Sequence, residues 1–307
     1  LGFGDLQRDA AGSISGRWQG AYPGPTLLFD AHLDVVPADQ SERWQHPPFG
    51  GELDAGRLWG RGAADTKGSL AAILTAVAGL PRAQLHGQVV VLASVHEENL
   101  TGVAVSRALK VFRPDVFVTG EPTQLQLAVA QRGRLTFDLC AQGRSAHTSR
   151  PEGGVNAVYR LLEAIDRLHR APRAHDAELG PEILELTEIV SQPYPNMTLV
   201  PHSARARFVA RILPGESWQG FQARLWEQLG ELPGLVLELA HIQDRCYTGL
   251  DLESDDFLPG WSRPADDPWL ARILAGLEGA GLPARTYAAG CGTNASAAAQ
   301  LGIPCFI

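Results

Sequence analysis

The sequence contains few cysteines and no paired ones. Its 307 residues include four cysteines, and no two of them form a C-x-x-C pair. A zinc site built on thiolates therefore has no support in the sequence. Scattered cysteines of this kind fit buried thiols in a reducing cytoplasm, which is the compartment that we predict. If a metal ion binds to this chain, histidine and carboxylate side chains must hold it.

The sequence also lacks long apolar runs and an excess of positive charge. No apolar segment approaches the roughly 20 residues that a membrane span needs, and no signal peptide is recognisable at the start. The net charge of −8 argues against a nucleic-acid partner and against an acidic membrane surface. Because the chain begins at Leu1 and stops at Ile307 within a predicted strand, we expect both ends to be truncated.

The first part of the chain alternates between strand and helix patterns. Residues 26–36, 88–95 and 115–119 are apolar runs of the kind found in strands covered on both faces. Residues 69–80 carry apolar side chains at helical spacing. This order predicts an α/β domain over residues 1–124, with functional residues beyond the C-terminal ends of its strands.

The pattern changes after residue 124. A partly alternating segment, an amphipathic helix, the strand ARARFVARIL, a helix capped by Ser217 and the strand LVLELAHI follow one another. This β-α-β-β-α-β order matches a small ferredoxin-like unit, which we place at residues 125–245. Another helix is predicted to begin at Asp267. The simplest architecture is an α/β domain that is interrupted by an inserted α+β domain and resumes over residues 246–307.

The segment AHLDVVP contains the first candidate site residues. His32 and Asp34 are two apart in a predicted strand, so their side chains point the same way. A histidine with a carboxylate behind it is the usual arrangement around a metal ligand. A hydrogen-bonded core histidine explains the same pattern, and the pair alone does not decide between the two interpretations.

The segment LWGRGAADTKGSLAA combines a glycine turn with an acid. Gly60 and Gly62 lie in the turn, and Asp65 comes just before a helix. The segment lacks the adjoining Gly-Lys of a P-loop and the third glycine of a dinucleotide fingerprint, so we reject both nucleotide interpretations. Asp65 is then either a helix cap or an acid at the functional edge of the sheet.

Three more acids follow predicted strands. Glu97 and Glu98 follow one apolar strand, and Glu121 follows the next. With His32 and Asp65 they place one histidine and four acids at one edge, where they would repel one another without cations. Nitrogen and carboxylate ligands without thiolates fit zinc, with cobalt or manganese as substitutes. This number of ligands suits two metal ions roughly 3.5–4 Å apart that share a carboxylate.

Six motifs occur in a fixed order along the chain: HLDVVP, PPFGGELDAGRLWGRGAADTKG, HEEN, GEPT, GRSAHTSRPEGGVNAV and RILPGES. This ordered set resembles the co-catalytic zinc family of acetylornithine deacetylase, succinyl-diaminopimelate desuccinylase, aminoacylase and the glutamate carboxypeptidases. The resemblance covers nearly the whole chain. It implies a zinc-peptidase-like mixed sheet flanked by helices, with an inserted ferredoxin-like α+β domain that acts as a lid and a dimerisation domain.

The resemblance also implies a ligand set for two divalent metal ions, with zinc favoured. His32 and Glu121 would hold the first ion, and Asp65 would bridge both. Glu98 would hold the second ion together with a histidine that lies further along the chain in the family. This sequence has no histidine after His241. We therefore expect the second site to be incomplete in the chain as given, with weaker binding there.

Roles in the reaction are implied in the same way. Glu97 would be the general base that takes a proton from a metal-bridging water, which becomes the attacking hydroxide. Asp34 would orient His32. His147 would reach the active site of the partner subunit in a homodimer and stabilise the oxyanion. The substrate would be contacted by three residues, Arg211, Asn196 and Asn294.

The implied function is metal-dependent hydrolysis of the amide bond in N-acyl amino acids or short peptides. An N-carbamoyl-amino-acid hydrolase or a dipeptidase with the same metal ions is an alternative. A non-catalytic relative that binds a small amino-acid-like ligand is another, although such a protein needs no base at Glu97. The sequence does not name the acyl group or the amino acid.

Overall fold

The computed structural model describes residues 1–39, 43–196 and 198–307. Its contacts divide the chain into two compact units. Unit 1 comprises Leu1–Gln131, Gln243–Ser254 and Ser262–Ile307. Unit 2 comprises Arg132–Ile242 and Asp255–Trp261.

The regular elements are as follows, in chain order. The strands up to the start of unit 2 are β1 (Gly4–Arg8), β2 (Ile14–Gln19), β3 (Tyr22–His32), β4 (Glu52–Asp54), β5 (Arg57–Trp59), β6 (His86–Ser94), β7 (Val116–Thr119) and β8 (Leu127–Gln131). The next strands are β9 (Arg134–Gln142), β10 (His175–Asp176), β11 (Gly180–Pro181), β12 (Ile183–Gln192), β13 (Ser203–Arg211) and β14 (Leu235–Leu239). The last strands are β15 (His241–Arg245), β16 (Asp251–Asp255), β17 (Phe257–Leu258), β18 (Trp261–Ser262), β19 (Thr286–Ala289) and β20 (Cys305–Phe306). The helices are α1 (Gly68–Ala78), α2 (Glu97–Leu100), α3 (Val103–Phe112), α4 (Ala157–Arg170), α5 (Trp218–Leu229), α6 (Pro268–Gly279) and α7 (Ala295–Gln300).

Unit 1 is built on a six-stranded mixed sheet with the order β1-β2-β6-β3-β7-β20. The central strand β3 runs parallel to both β6 and β7. Leu28, Val90 and Phe117, one from each of these strands, are fully buried. Such burial explains why the three segments are apolar along most of their length. Because the three strands are parallel, their C-terminal ends lie at the same edge of the sheet.

A smaller parallel pairing of β8 with β19 also belongs to unit 1. Helix α6 lies in the same unit and begins as the sequence predicts. The Asp267 carboxylate accepts hydrogen bonds from the backbone N–H groups of Trp269 (2.7 Å) and Leu270 (3.1 Å), so it caps the helix. Leu270 packs with Phe306 of β20 in one buried cluster.

Unit 2 has the β-α-β-β-α-β order of a ferredoxin-like unit. Its sheet has the strand order β12-β13-β9-β14, and all neighbouring strands are antiparallel. Helices α4 and α5 supply buried leucines to the core of this sheet, where Phe137 stacks on Phe208 at 5.2 Å and meets Phe221 at 5.8 Å. Ser217 caps α5 by accepting from the N–H of Gly220 at 3.1 Å, as predicted.

The prediction of a mixed α/β fold is confirmed. The observed division of the chain differs from the predicted bounds of 125–245 at both ends. Residues 125–131 belong to unit 1 because β8 pairs there with β19. Residues 255–261 belong to unit 2, where β17 pairs with β9. Among the described residues, no helix combines the length and the apolar character needed to cross a membrane.

Candidate metal centre

The candidate site lies at the C-terminal edge of the unit 1 sheet. His32 is the last residue of β3. Glu97 and Glu98 open α2, shortly after β6 ends. Glu121 follows the end of β7. The parallel arrangement of these strands therefore delivers side chains from separate segments of the sequence to one place, as the strand patterns predict.

His32 is held with one ring nitrogen turned toward a carboxylate. Its Nδ1 lies 2.9 Å from the backbone carbonyl oxygen of Asp34, and its Nε2 lies 3.0 Å from Oδ1 of Asp65. A carbonyl oxygen can only accept, so in the neutral ring Nδ1 carries the proton and Nε2 presents its lone pair to Asp65. Two lone pairs then face each other, and a cation between them would stabilise that arrangement.

Asp34 was predicted to orient His32 through its carboxylate, but its backbone carbonyl makes the shorter contact with the ring. Its backbone carbonyl faces the ring, whereas its carboxylate Oδ1 is farther from Nδ1, at 3.7 Å. The other carboxylate oxygen, Oδ2, accepts a hydrogen bond from the backbone N–H of Glu98 at 2.9 Å. Asp34 thus joins the strand that carries His32 to the turn that carries Glu98.

The structure brings His32, Asp65 and Glu98 together as a possible ligand group. One ligand atom from each of the three lies within 4.8 Å of the others. Oε1 of Glu98 accepts from the backbone N–H of Val36 at 3.2 Å, which fixes this carboxylate. One imidazole nitrogen and two carboxylates form a donor set of the kind that binds zinc and related divalent ions.

Asp65 is presented by an irregular turn before α1. Its φ and ψ of −116° and 94° are not helical, and the peptide bond to Thr66 is cis. Thr66 is fully buried, and its hydroxyl donates to the carbonyl of Gly120 at 2.5 Å. This bond ties the turn that carries Asp65 to the residue before Glu121. The predicted alternative, a simple helix cap, does not describe Asp65.

The acids face a cavity of about 240 Å³ within unit 1. Glu121 lines it with the other acids, although it is not one of the three residues that meet within 4.8 Å. Tyr287, Cys291 and Thr293 also line the cavity and were not predicted from the sequence. Tyr287 is the second residue of β19, Cys291 follows that strand and Thr293 precedes Asn294, and no predicted strand pointed to them. The expectation of buried thiols is wrong for Cys291, which is exposed.

Burial and mutual repulsion shift the pKa values of two of these acids. Burial, followed by the charges of Glu121 and Asp34, raises the pKa of Glu97 well above its ordinary value. Burial and the charge of Asp65 raise the pKa of Glu121 to about 8. Below the site, burial raises the pKa of Asp30 to about 6. Closely packed acids with raised pKa values fit a site for cations, because a bound cation would favour their ionised forms.

Asn294 occupies a different environment from the substrate contact that we predicted. It is only 2% exposed. Its amide nitrogen donates to Oδ2 of Asp30 at 2.8 Å and to Oγ of Ser94 at 3.2 Å, and its oxygen accepts from the N–H of Gly102 at 2.8 Å. The side chain is thus engaged by groups inside unit 1.

The remaining predicted residues belong to unit 2. His147 is exposed in a loop, where its Nδ1 accepts from the backbone N–H of Ser149 at 3.1 Å. Asn196 makes a local turn, accepting from the N–H of Leu199 at 3.1 Å and donating to its carbonyl at 2.6 Å. Arg211 ends β13 and is half-buried.

The sequence of this chain matches Peptidase family M20/M25/M40 over residues 28–307. It is 36% identical over 231 residues to a succinyl-diaminopimelate desuccinylase of Rhodospirillum centenum, covering 69% of this chain and 58% of that protein. The chain thus spans a little over half the length of this relative.

Two solved structures show the same fold. The aminopeptidase PepT of Bacillus cereus has a TM-score of 0.72 at 19% identity, covering 98% of this chain and 79% of that one. The YXEP protein of Bacillus subtilis, described as a dinuclear metal-binding peptidase, has a TM-score of 0.61 at 14% identity, covering 98% of this chain and 77% of that one. The resemblance inferred from the ordered motifs is confirmed, and the chain belongs to Peptidase family M20/M25/M40.

Proposed function

We propose that this chain carries the metal centre of a hydrolase that cleaves amide bonds in N-acyl amino acids or short peptides. The observation that carries the proposal is the group of His32, Asp65 and Glu98, with Glu97 buried beside it. Family membership supports the same chemistry, because a desuccinylase is among the relatives of the chain.

The proposed cofactor is a pair of divalent ions, with zinc favoured and cobalt or manganese as substitutes. His32, Asp65, Glu98 and Glu121 would hold them, since all four belong to one edge of the sheet and the three acids line one cavity. The description of the Bacillus subtilis protein as dinuclear supports two ions rather than one. When bound, such ions supply a Lewis acid and lower the pKa of water toward neutrality.

Glu97 is the proposed general base. Its side chain is 7% exposed and lines the cavity, and its backbone carbonyl accepts from the hydroxyl of Thr101 at 2.7 Å, which fixes the first turn of α2. Bound cations would favour the ionised carboxylate that burial now disfavours. The carboxylate would then take a proton from the attacking water and pass it to the nitrogen of the leaving amine.

His147 is the proposed donor to the oxyanion, and a homodimer formed through unit 2 is part of the proposal. Because Nδ1 of His147 accepts from Ser149, the neutral ring carries its proton on Nε2, where it can donate to a developing negative charge. The dimer is supported by β12, the edge strand of the unit 2 sheet, because an edge strand can pair with another chain. Two apolar residues of β12, Ile189 and Val190, are exposed.

Arg211 and Asn196 are the proposed contacts to the carboxylate or backbone of the substrate. Asn294 shared that prediction, but its buried hydrogen bonds support another role. A cytoplasmic location is also proposed, supported by the unpaired thiols of Cys140, Cys246 and Cys305.

A direct test is hydrolysis with defined metal content. The protein is loaded with zinc or cobalt and assayed against N-acetyl-, N-succinyl- and N-carbamoyl-amino acids and dipeptides. We expect turnover of one of these classes that a chelator abolishes and added metal restores. Metal binding without turnover of any of them would instead support a non-catalytic relative, and turnover that survives the chelator would contradict the metal-dependent mechanism.

The dimer and the role of His147 are tested by mixing two inactive variants. His147→Ala and Asp65→Ala damage different units of the chain. If His147 acts across subunits, exchange between the two variants forms one intact site per mixed dimer and restores part of the activity. Absence of rescue despite demonstrated subunit exchange would rule out action across subunits.

A further inference from the structure

The buried side chain of Asn294 brings three segments of unit 1 together. Its amide donates to Asp30 and to Ser94 and accepts from the backbone N–H of Gly102, at distances between 2.8 and 3.2 Å. All three partners are far from Asn294 in the sequence. An asparagine amide offers two donor hydrogens and one acceptor oxygen, so these bonds use both ends of the group.

The partners of Asn294 flank the candidate ligands. Ser94 is the last residue of β6, and Gly102 caps α3, so the two lie on either side of the segment that carries Glu97 and Glu98. Asp30 lies in β3 two residues before His32. One amide therefore joins both ends of the two-carboxylate segment to the strand that presents the histidine.

A second buried network holds the same loop through Gln131. The hydroxyl of Thr293 donates to Oε1 of Gln131 at 2.7 Å, and Nε2 of Gln131 donates to the hydroxyl of Ser296 at 2.7 Å. Gln131 ends β8, on the smaller parallel sheet. These bonds fix the residues around Asn294, whereas the bonds of Asn294 itself extend to the metal centre.

We infer that Asn294 is a positioning residue of the metal centre, which sets the distance between the Glu97–Glu98 segment and His32. The inference rests on the metal centre proposed above. Hydrogen-bond partners that orient metal ligands typically change metal affinity or activity by about 10- to 100-fold when they are lost. Asn294 would act in this way through the backbone and Asp30 rather than by touching an ion or the substrate.

The test compares Asn294→Asp, the double variant Asp30→Asn/Asn294→Asp and wild type. Asn294→Asp removes the donor to Asp30 and sets two buried carboxylates against each other, so we expect zinc to bind about 10- to 100-fold more weakly in competition with a chromophoric chelator. The double variant restores an amide–carboxylate pair with its direction reversed, and we expect it to recover most of that loss. The visible absorption of bound cobalt should change in the single variant and return toward the wild-type spectrum in the double variant.

Ser296→Ala is the matched control, because it removes the buried hydrogen bond with Gln131 from the same region. It should lower the melting temperature while leaving zinc affinity and the cobalt spectrum unchanged. If Asn294→Asp does not fold, Asn294→Ala removes the same bonds without adding charge and carries the same expectation. Zinc affinity in the Asn294 variants equal to that of Ser296→Ala would overturn the inference. Wild-type protein that binds no zinc would instead overturn the proposed metal centre.

Discussion

Carboxylates with little solvent exposure have different surroundings in unit 2 and around the cavity of unit 1. In unit 2, Asp138 accepts hydrogen bonds of 2.8–3.1 Å from the guanidinium groups of Arg205 and Arg207. Burial tends to raise the pKa of Asp138, but the bonds and charges of Arg207 and Arg205 outweigh it and hold the pKa below its ordinary value. Glu182, which is buried, is paired with Arg224 in the same unit.

The acids that line the cavity of unit 1 receive no such compensation from the described residues around it. Among the described residues that line the cavity there is neither an arginine nor a lysine. Burial and neighbouring acids raise the pKa of Glu121 to about 8 and raise the pKa of Glu97. In unit 2, arginine neutralises Asp138 and Glu182. The uncompensated acids of the cavity in unit 1 support the proposal that a bound cation supplies the missing charge.

The largest expected effect is a loss of turnover when Glu97 is replaced, compared with the replacement of Asp138, an acid with a structural role. Glu97→Gln keeps the shape of the side chain but cannot accept a proton, so we expect turnover to fall by about 10³-fold, within the range of general acid–base catalysis. Metal content, measured by elemental analysis, should stay close to that of wild type because Glu97 is not among the proposed ligands. Asp138→Asn is the matched control and should retain turnover. Turnover at the wild-type rate in Glu97→Gln would contradict the mechanism.

Asp65→Ala should break the cation site itself. The side chain lies 3.0 Å from Nε2 of His32 and belongs to the group that meets within 4.8 Å, so its loss would remove a proposed ligand and leave too few ligands to hold an ion tightly. We expect metal affinity to fall by at least about 100-fold, measured by competition with a chelator. A variant that retains its metal at wild-type affinity would exclude Asp65 as a ligand.

The two kinds of acid should also differ in the sign of their effect on stability. In metal-free protein at pH 7, Glu121→Gln removes an acid whose burial opposes ionisation, so we expect the melting temperature to rise by a few degrees. Asp138→Asn should lower it, because two arginines lose a charged partner, at a cost of about 1–3 kcal/mol. Thermal unfolding of both variants after chelation measures the difference, and shifts of the same sign would remove the contrast between the units.

The sequence predicted the parts of the site that follow from strand order. Apolar runs followed by acids placed His32, Glu97 and Glu121 at one edge, because parallel strands carry their C-terminal ends together. The capping residues Ser217 and Asp267 were predicted from local chemistry, because a serine or aspartate before a helix can accept hydrogen bonds from its first N–H groups. Both kinds of signal depend on short stretches of sequence and on rules that every chain obeys.

The parts that were missed depend on contacts between distant segments. Asn294 was predicted as a substrate contact from the resemblance, and its motif gave no sign of its bonds to Asp30, Ser94 and Gly102. Tyr287 and Cys291 reach the cavity through the pairing of β19 with β8, which no local pattern indicates. The boundary of unit 2 differed from the predicted boundary for the same reason. Long-range pairing decided each of these cases, and single-sequence periodicity does not report it.

The smallest expected effect is a pH dependence of the metal-free protein. A carboxyl whose pKa is raised on folding stabilises the protein fully below its unfolded value, and that contribution is lost as the pH rises through the folded value. For Glu121 the window runs from its ordinary pKa of 4.5 to about 8. We therefore expect the melting temperature of chelated protein to fall by a few degrees across this window, more steeply than that of Glu121→Gln. Zinc should flatten the dependence, since a bound cation favours the ionised carboxylate in the folded state. Equal slopes in Glu121→Gln and wild type would show that Glu121 is already compensated, as Asp138 is in unit 2.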